Sequence, residues 1–158
     1  MIITEHLNPA AITTDLKAKT KEEALKELTE LLIDAGEVES EEKDNIMRIL
    51  LEREKVGTTG VGYGVAIPHG RCDAVKDVAL AIGCSKKGVD FDSLDGKPVH
   101  LLFLLVACTT HGTLYLKILA RISRFIKDRQ FRDLLTQAES SEKVYEIVKN
   151  KEKKDRIA

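Results

Sequence analysis

The hydrophobic positions change their period twice along this chain. Ala24, Leu25, Leu28, Leu31 and Leu32 recur at helical spacing after Thr20, an N-cap residue with Glu23 in the capping-box place, and Gly36 can end that helix. A second helix is predicted from near Ser40, carrying Ile46, Ile49, Leu50 and Val56 and stopping at Gly57. The middle third then reads as buried strands: Val65–Ile67, Val78–Cys84 and Val99–Val106 are apolar runs bounded by Gly, Pro, Asp and Ser. Between the last two, KKGVDFDSLDGKP has turn chemistry and predicts a loop or small hairpin. Helical spacing returns after Gly112 with Leu114, Ile118, Leu119, Ile122, Phe125 and Ile126. Shorter helices follow at about Gln130–Ala138 and Glu142–Lys149, the latter capped by Ser140 or Ser141.

Helices on both sides of a strand-rich centre predict an α/β sandwich of helices around a central mixed β-sheet. At 158 residues the chain suits one domain, spanning 1–150, with the charged segment 151–158 expected to fray as a tail. Hydrophobic residues at 43% and charged residues at 32% indicate a globular protein of the soluble class. With 25 basic against 26 acidic side chains, nothing in the charge balance favours nucleic acid or a membrane surface. The most apolar run, Val99 to Cys108, is far shorter than the roughly 20 residues that span a bilayer. MIITEHLNPA has no basic region followed by an apolar one, so no signal peptide is expected. Three cysteines, Cys72, Cys84 and Cys108, read as free thiols in a reducing cytoplasm.

The candidate chemistry lies in GYGVAIPHG, Gly62 to Gly70. Gly57, Gly60, Gly62 and Gly64 suggest a phosphate loop, but no Gly-Lys-Ser/Thr follows, and the loop leads from a helix into a strand, the reverse of a dinucleotide site. His69, Cys72, His100 and His111 make no four-ligand set at zinc spacing. His100, inside an apolar run, reads as a hydrogen-bonded core histidine. No G-x-S-x-G elbow is present. His69 is different. Pro68 fixes its own φ and pushes Ile67 to extended geometry, so a strand delivers the imidazole on a rigid mount, with Gly70 leaving space beside it. An imidazole with an ordinary pKa of ~6.5 keeps one nitrogen unprotonated at neutral pH and is a good nucleophile.

The segment LLEREKVGTTGVGYGVAIPHG, Leu50 to Gly70, resembles the signature of enzyme IIA of the fructose/mannitol/nitrogen-regulatory class (the type-2 EIIA domain) of the sugar phosphotransferase system. The matching residues are Arg53-Glu54, Thr59-Gly60 and Gly64-Val65-Ala66-Ile67-Pro68-His69. The VHLLFLLVA run and the LKILARISRFIKD helix fall where that family has them, so the resemblance covers nearly the whole chain. It implies that His69 is phosphorylated, as the tele-phosphohistidine, by HPr or a nitrogen-branch counterpart. It implies too that the group passes to a IIB cysteine in transport systems or signals to a regulatory target. Arg53 matches the family's active-site arginine, with the Thr58-Thr59-Gly60 turn packed near it. A planar guanidinium suits the charge spread over a transferring phosphoryl group. No cofactor is implied, and no metal is needed where the donor phosphohistidine is already activated. One position departs: Tyr115 stands where the family commonly carries a second histidine, and His111 lies four residues earlier. Either Tyr115 gives a hydroxyl to the phosphate, or His111 reaches in, or the site mainly signals.

Overall fold

The computed structural model describes residues 2–157, apart from the side chains at 111, 156 and 157. In chain order its strands are β1 (Leu7–Thr13), β2 (Gly60–Gly62), β3 (Val65–Ala66), β4 (His69–Arg71), β5 (Val78–Val89) and β6 (Val99–Ala107). Its helices are α1 (Ile2–Glu5), α2 (Lys21–Asp34), α3 (Lys43–Val56), α4 (Gly112–Phe125), α5 (Arg129–Gln137) and α6 (Ser141–Ile157). The two most apolar runs, β5 and β6, pair antiparallel at the centre. β1 runs parallel to β5 on one side; β3 and β4 run parallel to β6 on the other, and β2 closes that edge antiparallel to β3. This is the predicted sandwich around a mixed sheet.

Alternation along the central strands supplies both faces of the sheet. Val78, Leu80 and Ile82 with Leu101, Phe103 and Leu105 pack against α4, α5 and α6. Ala79 and Ala81 with Leu102, Leu104 and Val106 pack against Leu25, Leu28 and Leu32 of α2 and Leu50 of α3. The small residues on that second face let α2 come close. A side chain at Gly83 would stand 3.0 Å from the Leu28 methyl Cδ2 and 3.2 Å from Leu16 Cδ1.

Several elements differ from the sequence expectation, each for a tertiary reason. The KKG part of the expected loop continues β5 to Val89, because Val89 still pairs with Val99 beyond a shift in register. The edge strand β1 has no periodic signature; its ladder is irregular between Leu7 and Ile12, and Pro9 is tolerated because the strand lies at the sheet edge. Ser40–Glu42 forms a 3₁₀ turn and α3 starts only at Lys43. Thr20 does cap α2, accepting from the Glu23 amide, but the Glu23 carboxylate receives the amide of Lys19 rather than that of Thr20.

The largest difference concerns residues 151–157 of the charged segment, which are helical; residue 158 lies outside the described residues. α6 continues through 151–157 because Glu152, 0% exposed, is bound on every side. Its carboxylate receives the amides of Ile3 at 3.0 Å and Thr4 at 2.9 Å, the Thr4 hydroxyl at 3.0 Å and the Arg121 guanidinium at 3.0 Å. One carboxylate thus ties α1, α4 and α6 together. Removing it leaves Arg121 and two backbone amides without their anion. Glu152→Ala is therefore expected to cost about 3–5 kcal/mol of stability. In urea this reads as a lower midpoint at unchanged slope, and an unmoved midpoint would return residues 151–157 to the role of an uncoupled tail.

Candidate functional site

His69 is the first residue of β4 and is half-buried. β3 and β4 lie along the same strand, β6, and the register does not slip between them: Val65 faces Leu101 and His69 faces Leu105. Across the gap the Pro68 carbonyl accepts from the Leu105 amide at 3.0 Å, while the Ile67 amide donates to the Thr59 carbonyl at 3.0 Å. The proline therefore keeps the chain on the sheet, as its restricted backbone requires. Gly70 does not serve the imidazole. A side chain there would come within 2.7 Å of Ile49 Cγ2, so the glycine exists to let α3 lie directly on β4.

The ring itself is oriented by its own backbone. His69 Nδ1 lies 2.7 Å from the Ile67 carbonyl oxygen. A carbonyl only accepts, so Nδ1 carries the hydrogen and Nε2 holds the free pair. Burial lowers the imidazole pKa below its ordinary value. The nearby Arg53 charge acts the same way, while the Ile67 carbonyl and Glu54 oppose it. The neutral, nucleophilic form thus prevails at neutral pH.

α3 delivers two adjacent residues to different tasks, since neighbours on a helix point about 100° apart. Arg53 is half-buried, and its guanidinium donates to the Gly57 carbonyl at 2.7 Å, which fixes it at the helix end near His69. Glu54 is buried and receives the Thr59 amide at 3.0 Å, the Thr59 hydroxyl in a very short bond, and Lys21 Nζ at 3.1 Å. Lys21 also stands 5.1 Å over the Phe91 ring. Thr59 therefore spends its hydroxyl on Glu54 and not on the imidazole; its contribution is to lock the turn that pins Ile67.

From the other side of the sheet α4 brings Tyr115. It is 6% exposed, its ring centre 6.1 Å from that of His69, and Arg71 lies 5.0 Å over its face. Burial raises the phenol pKa, and Arg71 and then Arg53 pull it down. His111 ends the 3₁₀ turn Thr109–His111 ahead of α4, and its side chain lies outside the described residues. His100 is remote from this group and bonds the Ser85 carbonyl through Nδ1 at 2.8 Å. Among the described residues no three His, Cys, Asp or Glu side chains gather as a metal site. Cys72, Cys84 and Cys108 are free thiols, and burial pushes that of Cys84 up to about 11.

This site sits in a recognised sequence. Residues 5–151 match the family described as phosphoenolpyruvate-dependent sugar phosphotransferase system, EIIA 2. The chain belongs to that family. It is 38% identical over 148 residues to a nitrogen regulatory protein of Bradyrhizobium diazoefficiens, covering 94% of this chain and 95% of the other. It is 40% identical over 129 residues to the fructose-specific EIIA component of Haloferax volcanii, covering 82% of each. The fold matches nitrogen regulatory protein IIA-Ntr from Neisseria meningitidis with a TM-score of 0.83 at 33% identity, over 93% of this chain and 99% of that one. No helix among the described residues is long and apolar enough to cross a membrane.

In this EIIA chain the sequence motif led to His69 and Arg53 but passed over three of their neighbours. Glu54 stood inside the signature without an assigned task. Lys21 carried no local signal, because its tie to Glu54 spans 33 positions. Arg71 was legible from strand alternation, two residues beyond His69 on the same face. The electrostatics also make a measurable claim. In an NMR titration His69 should have its midpoint below the ordinary ~6.5, and Arg53→Gln should raise it, since a cation that opposes protonation is gone. Because the unfolded chain binds this proton more readily, the residue makes stability fall as pH drops below that ordinary value. A midpoint above it would contradict the burial argument.

Proposed function

We propose that this EIIA domain is a phosphohistidine carrier of the nitrogen-regulatory type. In this reading His69 accepts a phosphoryl group from an HPr-like phosphocarrier, and a regulatory target reads its phosphorylation state. The observation that carries the reading is the Nδ1–H bond to the Ile67 carbonyl. It commits one nitrogen to orientation and leaves Nε2 as nucleophile, beside an arginine held at the end of α3.

The chemistry balances without a base or a metal. The Nε2 pair forms a bond to phosphorus as the donor's P–N bond breaks and its electrons return to the donor imidazole. The Nδ1 proton stays in place, and the positive charge that His69 gains rests against the Ile67 carbonyl. Arg53 meets the charge on the equatorial oxygens, where positioning and electrostatics supply most of the catalysis.

Two observations support a regulatory role: the near full-length match to a nitrogen regulatory protein, and a tyrosine at the place of the family's second histidine. The 40% identity to a fructose-specific EIIA component favours a second reading, transport of fructose, mannitol or a related sugar through a IIB cysteine. Both readings imply work in the cytoplasm.

Incubation with a phosphoenolpyruvate-driven phosphocarrier system is expected to add one acid-labile phosphoryl group, on Nε2 of His69, and none to His69→Ala. Labelling of another residue would sink the assignment. Arg53→Lys should keep its melting temperature while slowing uptake about tenfold, because an ammonium lacks the planar fork. Rapid loss of the label to a IIB domain would select the transport reading.

A further inference from the structure

The site holds a second arginine that the motif does not contain. β4 alternates, so Gly70 faces α3 while His69 and Arg71 share the opposite side of the strand, roughly 6.5 Å apart along it. Arg71 is exposed, yet its guanidinium is not loose. It stacks 5.0 Å over the Tyr115 ring, and its two terminal nitrogens lie 3.6 and 3.7 Å from where a side chain on Gly112 would begin. Gly112 is the first residue of α4, so the absence of a side chain there leaves the guanidinium room at the helix start. Among the described residues no carboxylate lies at ion-pair distance from Arg71, whereas Arg121 and Arg124 on α4 are both paired, with Glu152 and Asp155. The Tyr115 ring that carries Arg71 is the same ring that flanks His69 at 6.1 Å.

From this arrangement we infer that Arg71 is a second phosphoryl-binding guanidinium, mounted on the face of Tyr115 and set against the group carried by His69. The inference rests on the phosphocarrier reading above. A phosphoryl group brings close to two negative charges at neutral pH. Arg53 supplies one positive charge, and part of its fork is already engaged by the Gly57 carbonyl. Arg71 supplies the second charge with all its donors facing no anion. The two guanidinium groups approach the site from opposite sides, one from the end of α3 and one from β4 beside α4. Both also act on the Tyr115 hydroxyl, favouring negative charge there against burial. Tyr115 contributes its ring, which holds Arg71 flat through a cation–π contact. In this chain the charge at the α4 side of the site comes from the strand and not from the helix.

The test separates binding of the phosphoryl group from docking of its donor. Wild type, Arg71→Gln, Arg71→Lys, Tyr115→Phe and Tyr115→Leu are equilibrated with a phosphorylated HPr-type carrier at fixed ratio. The fraction of phospho-His69 and its ³¹P resonance are then read, with melting temperatures alongside. Arg71→Gln should shift the phosphoryl equilibrium about tenfold towards the donor, the worth of a charge-assisted hydrogen bond, and should move the ³¹P resonance. Arg71→Lys should recover part of the loss. Tyr115→Phe, which keeps the ring, should lose less than Tyr115→Leu, and Tyr115→Leu should follow Arg71→Gln. If wild type is labelled on His69 but Arg71→Gln matches it in equilibrium and resonance, the inference is overturned and the carrier reading stands. If Tyr115→Phe loses as much as Arg71→Gln, the hydroxyl and not the ring acts, and the mounting role fails. Absence of label on wild type would overturn both.

Discussion

The buried carboxylate of Glu54 is the joint on which the site is built. It closes the end of α3 onto the Thr59 turn, and Lys21 of α2 balances its charge. The Thr59 carbonyl in turn receives the Ile67 amide, one step before the proline that delivers His69. Helix end, turn and strand are thus linked through hydrogen bonds to one anion. A buried carboxylate is stable only when fully paired, so its three partners cannot drift independently. Arg53 gains its fixed position as the residue just before Glu54 on the same helix.

The sheet makes this arrangement rigid. β6 is buried on both faces, and the two short strands that flank the proline both hydrogen-bond to it. Gly70 allows α3 to rest on β4 at a distance that no larger residue permits. The imidazole therefore stands at the rim of a close-packed sandwich, with its nucleophilic nitrogen selected by a main-chain carbonyl. A rim position also suits the proposed phosphoryl transfer, whose donor would be a second macromolecule that must reach the imidazole.

In the proposed phosphocarrier, the arginines divide the electrostatic work by where they originate. Arg53 belongs to the α2–α3 face of the sandwich, and Arg71 and Tyr115 belong to the face covered by α4. The phosphoryl position of the proposed carrier would lie at the seam between the two layers. Charge can therefore be gathered there from both sides without placing two cations next to each other on one element, where they would repel.

Much of this was legible in the chain itself. Helical spacing located α2, α3, α4 and α5, the apolar runs located β3, β5 and β6, and the Pro-His pair with Arg53 marked the candidate centre, because each is a local pattern read by local rules. The continuation of α6 was hidden, since KEKKDR, residues 151–156, is charged throughout and is held as helix by Glu152, which meets the amides of α1 and the guanidinium of α4. The edge strand β1 was hidden as well, being short, broken by proline and defined by its neighbour. In the site, the sequence singled out His69 and Arg53 as candidates, and the fold places the two near each other. The tertiary structure alone decided that Thr59 serves Glu54, that Gly70 serves α3, and that Tyr115 meets Arg71. Those roles depend on contacts between elements far apart in sequence, and close packing, not local preference, sets such contacts.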